Sequence, residues 1–357
     1  MSHHNKRKRL AAIILFAISL AGCAAAEEAE PETRQQETVH EIEFFAMNTY
    51  LTFQAYGEQA DSALEEAEKR VLELEQKWSV TEEDSEIYQI NHSNGSEITL
   101  SEDTKKVIEF VLHMAEETDG NLEPTIYPVL TAWGFTAGEN RIPGEEEIQT
   151  LLKSVGYQNI QLDGNQIQIP KGVELDLGAV GKGYAGDEAA ETLKENGITS
   201  ALLNLGGNVQ AVGSKPDGSD WRIGIRNPFG EGNLGILEVS DRAVVTSGNY
   251  EHYFVGEDGN TYGHILNPFT GKPVENELMS MTIVTEQGKE GDALSTALFV
   301  MGLEKAEEYW RAHPNFEMLA VTKDGEIYLT AGIQNQFEAD VTYDNREMVV
   351  IEPCERG

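Results

Sequence analysis

The stretch DLGAVGKGYAGDEAAETL, residues 176–193, decides between two fold classes. Its glycines at 181, 183 and 186 spell G-x-G-x-x-G between a predicted strand and a predicted helix, a pattern typical of dinucleotide-binding βαβ folds. The next predicted strand, ALLNLGGNV, ends without the acidic residue that holds a ribose in those folds. A P-loop is excluded because Lys182 is followed by Gly183 and not by Ser or Thr. Two interpretations remain open: backbone N–H groups that approach an anion at the helix start, or a tight turn that needs glycine.

The segments on either side predict an α+β fold, because strands follow one another in a meander while helices come in blocks. Residues 118–135 contain Gly120, Pro124 and Pro128 and are expected to form an irregular, partly buried loop. Helices are predicted over 61–79, 102–117 with Ser101 as N-cap, from the glycine turn to 197, and over 291–302 and 303–312. Strands are predicted within 41–57, 159–170, 173–177, 201–213, 221–228, 235–248, 250–255, 261–268, 279–285 and 318–332.

The N-terminus predicts a lipoprotein. A basic cluster precedes an apolar run that ends at LAGC, so residues 1–22 have the pattern of a secretory signal peptide. The run is shorter than the roughly 20 apolar residues that span a bilayer, which disfavours a transmembrane anchor. Cys23 is the predicted lipidation site, because LAGC resembles a bacterial lipobox. We therefore expect a lipid-anchored protein on the extracytoplasmic face of the bacterial cell membrane.

The rest of the chain divides by composition. Residues 23–40 are rich in Glu, Gln and Thr without hydrophobic periodicity and predict a disordered tether. Residues 41–334 are predicted to form the folded domain, and residues 335–357 a polar C-terminal tail. Only Cys354 accompanies Cys23, so no intramolecular disulfide is expected in the mature chain.

The net charge of −36 makes nucleic acid an unexpected partner. Removal of residues 1–22 deletes four basic and no acidic residues, so the mature chain is more acidic still. A phosphate ligand has to overcome this field, which favours a bound cation or oriented backbone N–H groups. Solubility in a salty or alkaline medium is an alternative explanation of the same charge.

Polar side chains cluster in the predicted strands of 244–274, whose hairpin turn lies at residues 257–260. His264 stands in an otherwise apolar strand just before a turn at Asn267 and Pro268. A lone histidine there is more often a satisfied core residue, and its functional alternative is a general base or a ligand contact. The other polar members of the cluster are Ser247, Asn249, Tyr250 and His252.

The helix predicted over GDALSTALFVMG, residues 291–302, opens with Asp292, Ser295 and Thr296. Asp292 as an N-cap assisted by Ser295 is the simpler hypothesis. That hypothesis leaves Thr296 unexplained, whereas Asp292 and Thr296 lie on nearly the same helix face, where their oxygens can share one hard cation. With phosphates in the shell such a site suits Mg²⁺ better than Zn²⁺, because no cysteine or histidine pair is nearby.

Taken in order, eight segments resemble the FAD:protein FMN transferases, the ApbE-type flavin transferases. The resemblance covers about residues 47–329. The segments are MNT (47–49), DSEIYQIN (84–91), PTIYPVLTAWGF (124–135), DLGAVGKGYAGD (176–187), LLNLGGNV (202–209), TSGNYEHYF (246–254), GHILNPFTGKPV (263–274) and GDALSTALFVMG.

The resemblance implies a two-lobed α+β fold with mixed and antiparallel sheets and packed helices, which makes 41–334 a flavin transferase domain. It implies Mg²⁺ held by Asp292, Thr296 and the carbonyl of Ala179, with Ser295 as a helper, and His264 as the residue that activates the acceptor hydroxyl. Glu123 stands where Asp is usual in the family, and Thr81 where some members have an aromatic residue. The positions matched to flavin contacts are Met47, Thr81, Asn121, Leu122, Glu123, Lys182, His264 and Leu266.

The implied activity is Mg²⁺-dependent transfer of FMN from FAD to a Ser or Thr hydroxyl of an acceptor redox protein, with release of AMP. Three alternatives stay open. A hydrolase would cut FAD to FMN and AMP with water as the nucleophile, and a flavin-binding lipoprotein would hold FAD without turnover. A nicotinamide oxidoreductase ranks last, because the ribose-binding acid is missing.

Overall fold

The computed structural model describes residues 38–136, 138–343 and 348–354. Its helices are α1 (Ala60–Trp78), α2 (Glu86–Asn91), α3 (Glu102–Glu117), α4 (Tyr127–Trp133), α5 (Glu145–Leu151), α6 (Gly181–Glu195), α7 (Gly288–Met301) and α8 (Leu303–Ala312). Its strands are β1 (Val39–Ala46), β2 (Thr49–Tyr56), β3 (Ile98–Thr99), β4 (Gln161–Asp163), β5 (Gln166–Gln168), β6 (Ala201–Leu205), β7 (Asn208–Val212), β8 (Trp221–Arg226), β9 (Asn233–Val239), β10 (Ala243–Gly248), β11 (Tyr253–Val255), β12 (Thr261–Gly263), β13 (Leu266–Asn267), β14 (Lys272–Pro273), β15 (Leu278–Thr285), β16 (Glu317–Thr322), β17 (Ile327–Thr330), β18 (Phe337–Ala339) and β19 (Met348–Ile351).

A nine-stranded sheet runs through the protein in the order β1-β2-β6-β7-β10-β15-β16-β17-β19. Neighbouring strands are antiparallel except β17 and β19, which are parallel, so the sheet is mixed. Two small three-stranded sheets, β18-β9-β8 and β3-β5-β4, and two short hairpins accompany it. The predicted α+β class with mixed sheets and packed helices is confirmed.

Two hydrophobic cores cover the two faces of the large sheet. On β16, Met318 and Ala320 belong to the core that also contains buried residues of α1, α3, α6 and α7. Leu319 and Val321, which point to the other face, belong to the core formed with β8 and β9. Because both faces are covered, β16 is a continuous apolar run and not an alternating one.

The start of α7 differs from the prediction. The helix begins at Gly288, so Asp292 lies more than one turn inside it and the hypothesis that Asp292 is the N-cap is wrong. Gln287 occupies the N-cap position and makes no side-chain capping bond there. The glycines at 288 and 291 concealed the first turn, because glycine disfavours helix and tertiary packing has to override that preference.

Two local predictions fail for identifiable reasons. The expected loop 118–135 contains α4, which tolerates Pro128 in its first turn, where a helix needs no N–H donor. The strand expected over 173–177 does not form. Instead, the Asn91 side chain accepts from the N–H of Leu175 and donates to its carbonyl, at 2.7 and 2.9 Å.

Both ends of the described chain are more ordered than predicted. Val39 and His40 belong to β1 and not to the tether. Residues 335–357, predicted as a polar tail, contribute β18 and β19 instead, because Phe337 and Ile351 are buried against the cores. The predicted signal peptide and Cys23 lie outside the described residues. No helix within the described ranges has the length and apolar character to cross a membrane.

Candidate active site

One cavity of about 360 Å³ is bounded by the β1–β2 turn, the loop before α4, the start of α6, the end of β10, the β12–β13 connection and one face of α7. Ten of the sequence-predicted site residues line it. They are Met47, Asn121, Leu122, Glu123, Ala179, Lys182, His264, Leu266, Asp292 and Thr296.

Thr81 is the predicted flavin contact that the fold does not bring to this cavity. It is exposed in the segment after α1, where its backbone N–H donates to the Ser79 hydroxyl at 3.2 Å. The prediction depended on family position alone, and no pattern in the sequence linked Thr81 to the other site residues.

Asp292 and Thr296 face the cavity from successive turns of α7. The Asp292 side chain is almost fully buried, at 4% exposure, and its Oδ2 accepts from the N–H of Gly183 at 2.9 Å. The Ser247 hydroxyl of β10 lies 3.3 Å from Thr296 Oγ1 and 2.8 Å from Ser295 Oγ. Ser295 donates to the carbonyl of Asp292 at 3.0 Å, so its hydroxyl links the first part of α7 to Ser247 of β10.

Ala179, in the turn before α6, lines the same cavity as Asp292 and Thr296, and we call these three residues the oxygen-rich corner. In a regular helix the N–H of Gly183 would donate to the carbonyl of Ala179, four residues back, but it donates to Asp292 instead. The backbone hydrogen bonds of the described residues leave the Ala179 carbonyl without a donor. A carboxylate, a hydroxyl and a free carbonyl are the ligands that Mg²⁺ prefers.

This corner is not a closed protein cage. No group of three or more His, Cys, Asp or Glu side chains converges within residues 38–136, 138–343 and 348–354. A cation here would therefore complete its shell with water or with oxygens of a ligand, which is the usual condition of Mg²⁺ bound beside phosphates.

His264 lies across the cavity, between β12 and β13. Its Nδ1 is 3.1 Å from the carbonyl oxygen of His252, which can only accept, so Nδ1 carries the proton and donates. In the neutral ring, Nε2 then has a free lone pair. Burial, followed by the nearby His252, lowers the pKa of His264 to about 4, so the neutral form predominates at pH 7.

The loop before α4 is held by its own acidic residue. Glu123 accepts from the N–H and hydroxyl of Thr125 at 2.9 and 2.6 Å, and from the N–H of Tyr157 at 3.0 Å. Burial raises the pKa of Glu123, and these bonds counteract the rise. Asn121 donates to the Thr118 carbonyl at 2.8 Å. The loop therefore presents a fixed surface to the cavity, with the buried Leu122 in its lining.

The cavity also contains polar residues that the sequence did not single out. Asn208, at the start of β7, is 5% exposed, and its Nδ2 has no hydrogen-bond partner among the described residues. Asp176 precedes the glycine turn, and burial raises the pKa of its carboxyl while the charge of Lys182 lowers it. Asn208 lies in the family-like segment LLNLGGNV, directly after Gly206 and Gly207, which form the β6–β7 turn, but neither signal assigned it a role.

Known proteins are similar to this chain in sequence and in fold. The sequence model of the ApbE family matches residues 47–320. A protein named FAD:protein FMN transferase from Klebsiella pneumoniae (strain 342) is 32% identical over 272 residues, which cover 73% of this chain and 84% of that protein. One of the same name from Treponema pallidum (strain Nichols) is 31% identical over 291 residues, covering 76% and 80%.

Solved structures of ApbE proteins have a similar fold. The crystal structure of the ApbE protein from Thermotoga maritima superposes with a TM-score of 0.78 at 31% identity, covering 84% of this chain and 99% of that one. The flavin transferase ApbE from Vibrio cholerae gives a TM-score of 0.77 at 25% identity, with the same coverage. The family match spans most of the described fold and includes the cavity residues from Met47 to Val300. This chain therefore belongs to the ApbE family.

Proposed function

We propose that this protein transfers FMN from FAD to a Ser or Thr hydroxyl of an acceptor protein, in a Mg²⁺-dependent reaction that releases AMP. The observation that carries the proposal is the convergence of Asp292, Thr296, the free carbonyl of Ala179 and His264 on one cavity. Its relatives named FAD:protein FMN transferase supply the substrate class.

The residues that line the cavity fit both Mg²⁺ and FAD. Asp292, Thr296 and Ala179 offer three hard oxygen donors for Mg²⁺, and Lys182 adds a cation at the start of α6. The unpartnered Nδ2 of Asn208 requires an acceptor, which a dinucleotide supplies. Bound Mg²⁺ would neutralise the charge that develops on the diphosphate.

His264 acts as the general base in the proposed reaction. Its Nε2 takes the proton of the acceptor hydroxyl while that oxygen forms a bond to the FMN-side phosphorus. The bond from this phosphorus to the bridging oxygen breaks, and AMP leaves with that oxygen. The bond between Nδ1 and the His252 carbonyl holds the ring in the tautomer that this role requires.

The test combines the purified chain, FAD and Mg²⁺ with and without a candidate acceptor redox protein. Transfer predicts that AMP appears together with an acceptor whose mass increases by one FMN, and that replacement of the modified hydroxyl residue abolishes the increase. AMP and free FMN in equal amounts, with an unmodified acceptor, would identify a hydrolase. Absence of AMP under all conditions would leave a flavin-binding protein without turnover.

We further propose that the mature protein is anchored through lipid on Cys23 at the extracytoplasmic face of the cell membrane. The support is the LAGC sequence after a basic and apolar leader. Cys23→Ala should move the protein from the membrane fraction to the soluble or unprocessed fraction. An unchanged membrane fraction and unchanged processing would contradict the anchor.

A further inference from the structure

Asp187 makes a contact between helices that the proposed reaction does not use. It lies on α6, one turn after Gly183, and its carboxylate reaches the first turn of α7. Oδ1 accepts from the N–H of Gly288 at 2.6 Å, and Oδ2 accepts from the N–H of Lys289 at 3.0 Å. One carboxylate thus satisfies two of the unpaired N–H groups that every helix start leaves.

This contact replaces the cap that α7 lacks in its own sequence. Gln287 makes no capping bond with its side chain, so the N-terminal turn of α7 is held by a residue of another helix. A carboxylate is favoured at this position because the helix dipole is positive there. Burial raises the pKa of Asp187 to about 6, yet at neutral pH the ionised form predominates and both oxygens can accept.

A third hydrogen bond runs between the same helices in the opposite direction. The N–H of Gly183 on α6 donates to Asp292 Oδ2 on α7, while Asp187 on α6 accepts from the α7 backbone. The three hydrogen bonds fix both the rotation of α7 and its position along α6. The proposed cation site draws Asp292 and Thr296 from α7 and Ala179 from the turn before α6, so its geometry depends on this register.

We infer that Asp187 is a positioning residue for the divalent cation site: it holds α7 in the register that places Asp292 and Thr296 opposite the carbonyl of Ala179. The inference relies on the proposed Mg²⁺ site. The Asp187 carboxylate hydrogen-bonds to the backbone N–H groups of Gly288 and Lys289, and it acts through them.

The test compares Asp187→Asn with Glu188→Gln. Asn keeps the size of Asp but offers one acceptor oxygen, so its amide group would face a backbone N–H where a second acceptor is needed. Glu188 is the next residue on the same helix, and its carboxylate pairs with Arg70, away from α7. Each variant removes one negative charge and disrupts the hydrogen bonds of an α6 side chain. Only Asp187→Asn changes the contact between α6 and α7.

Mg²⁺ is titrated calorimetrically into each protein, alone and with FAD, and FAD binding without Mg²⁺ is measured separately. We expect Asp187→Asn to weaken Mg²⁺ binding about 10- to 100-fold, the usual effect of removing a group that orients metal ligands. FAD binding without Mg²⁺ should change less than threefold, and Glu188→Gln should bind Mg²⁺ like the unmodified chain. Equal Mg²⁺ affinity in Asp187→Asn and the unmodified chain would overturn the inference.

Hydrogen exchange in the unmodified chain gives an independent test that does not depend on folding of the variant. Since coupling between sites is reciprocal, Mg²⁺ should slow exchange of the Gly288 and Lys289 amides when FAD is present. Unchanged exchange at these two amides on saturation with Mg²⁺ would count against the role of Asp187. If the unmodified chain binds no Mg²⁺ with or without FAD, the proposed function fails, a result distinct from normal Mg²⁺ binding by Asp187→Asn.

Discussion

Gly183 of α6 and Gly288 of α7 meet where the two helices cross, and no side chain fits between them. A Cβ atom on Gly183 would lie 2.2 Å from the carbonyl oxygen of Gly288 and 2.8 Å from Cβ of Asp292. The G-x-G-x-x-G pattern thus contributes close helix packing beside the proposed cation site. Of the two interpretations of the glycine turn, the close packing supports a steric requirement for glycine at position 183. The adjacent Lys182 lines the cavity.

Gly183→Ala should destabilise the protein by about 1–3 kcal/mol, the usual cost of overpacking, because the obstructing atoms are mainly backbone. It should also weaken Mg²⁺ binding by displacing Asp292. The matched control is Gly181→Ala on the same helix, where a Cβ meets no atom within 4 Å. Urea unfolding should show a lower midpoint for the first variant only. Equal midpoints would mean that the crossing is looser than its contacts indicate.

Asp292→Asn should reduce Mg²⁺-dependent AMP release by at least about 100-fold, because the carboxylate is the one charged ligand of the proposed set. The Asn oxygen can still accept from Gly183, so the fold should persist. AMP is quantified by chromatography over a Mg²⁺ series, with the exposed turn residue Asp324→Asn as control. Normal AMP release from Asp292→Asn would remove this residue from the cation site.

His264 should titrate near pH 4 in the FAD-free chain, since burial lowers its pKa to about 4 from 6.5. The folded state then favours the neutral ring. The neutral His264 ring contributes fully to the free energy of unfolding above pH 6.5. This contribution is lost as pH falls from 6.5 to about 4, because the unfolded chain takes up a proton there before the folded chain does. The C2–H signal in proton NMR, assigned with His264→Gln, measures the midpoint directly.

The same pKa predicts that the acid limb of kcat/KM falls well below pH 6.5, because kcat/KM reports groups of the free enzyme. His264→Gln should abolish this limb together with most transfer activity. A midpoint near 6.5 in the NMR titration would show that His264 is solvated in solution.

Asn208→Ala should weaken FAD binding roughly 3- to 10-fold, as expected for loss of one hydrogen bond of about 0.5–1.5 kcal/mol. The free protein should lose little stability, because Nδ2 has no partner there among the described residues.

The control is Asn204→Ala on the same hairpin, for which we expect a loss of stability and little change in FAD affinity. Its side chain accepts from the N–H of Gly207 at 3.0 Å, so stability should fall while FAD affinity stays within twofold. Fluorescence titration and thermal unfolding separate the two, and unchanged FAD affinity in Asn208→Ala would remove it from the binding site.

Local sequence was sufficient for elements whose signals lie within one or two turns. Ser101 caps α3 as predicted, since its hydroxyl accepts from the N–H of Thr104 at 3.5 Å. The amphipathic helix α1 and the hairpin of β4 and β5 also form where their patterns indicate. Each of these signals involves residues that are neighbours along the chain, so the sequence alone identifies the interacting pair.

The residues of the proposed cation site and the proposed base were predicted from chain order and family motif, and only the fold brings them to one cavity. Local spacing suggested Asp292 with Thr296, but not that the carbonyl of Ala179 lies free beside them. Among the described residues that carbonyl has no backbone donor, because the N–H of Gly183 pairs with a side chain 109 residues later in the sequence. The cap of α7 by Asp187 spans 101 residues in the same way. Contacts of this range depend on how helices cross, which no local pattern of propensity or periodicity specifies.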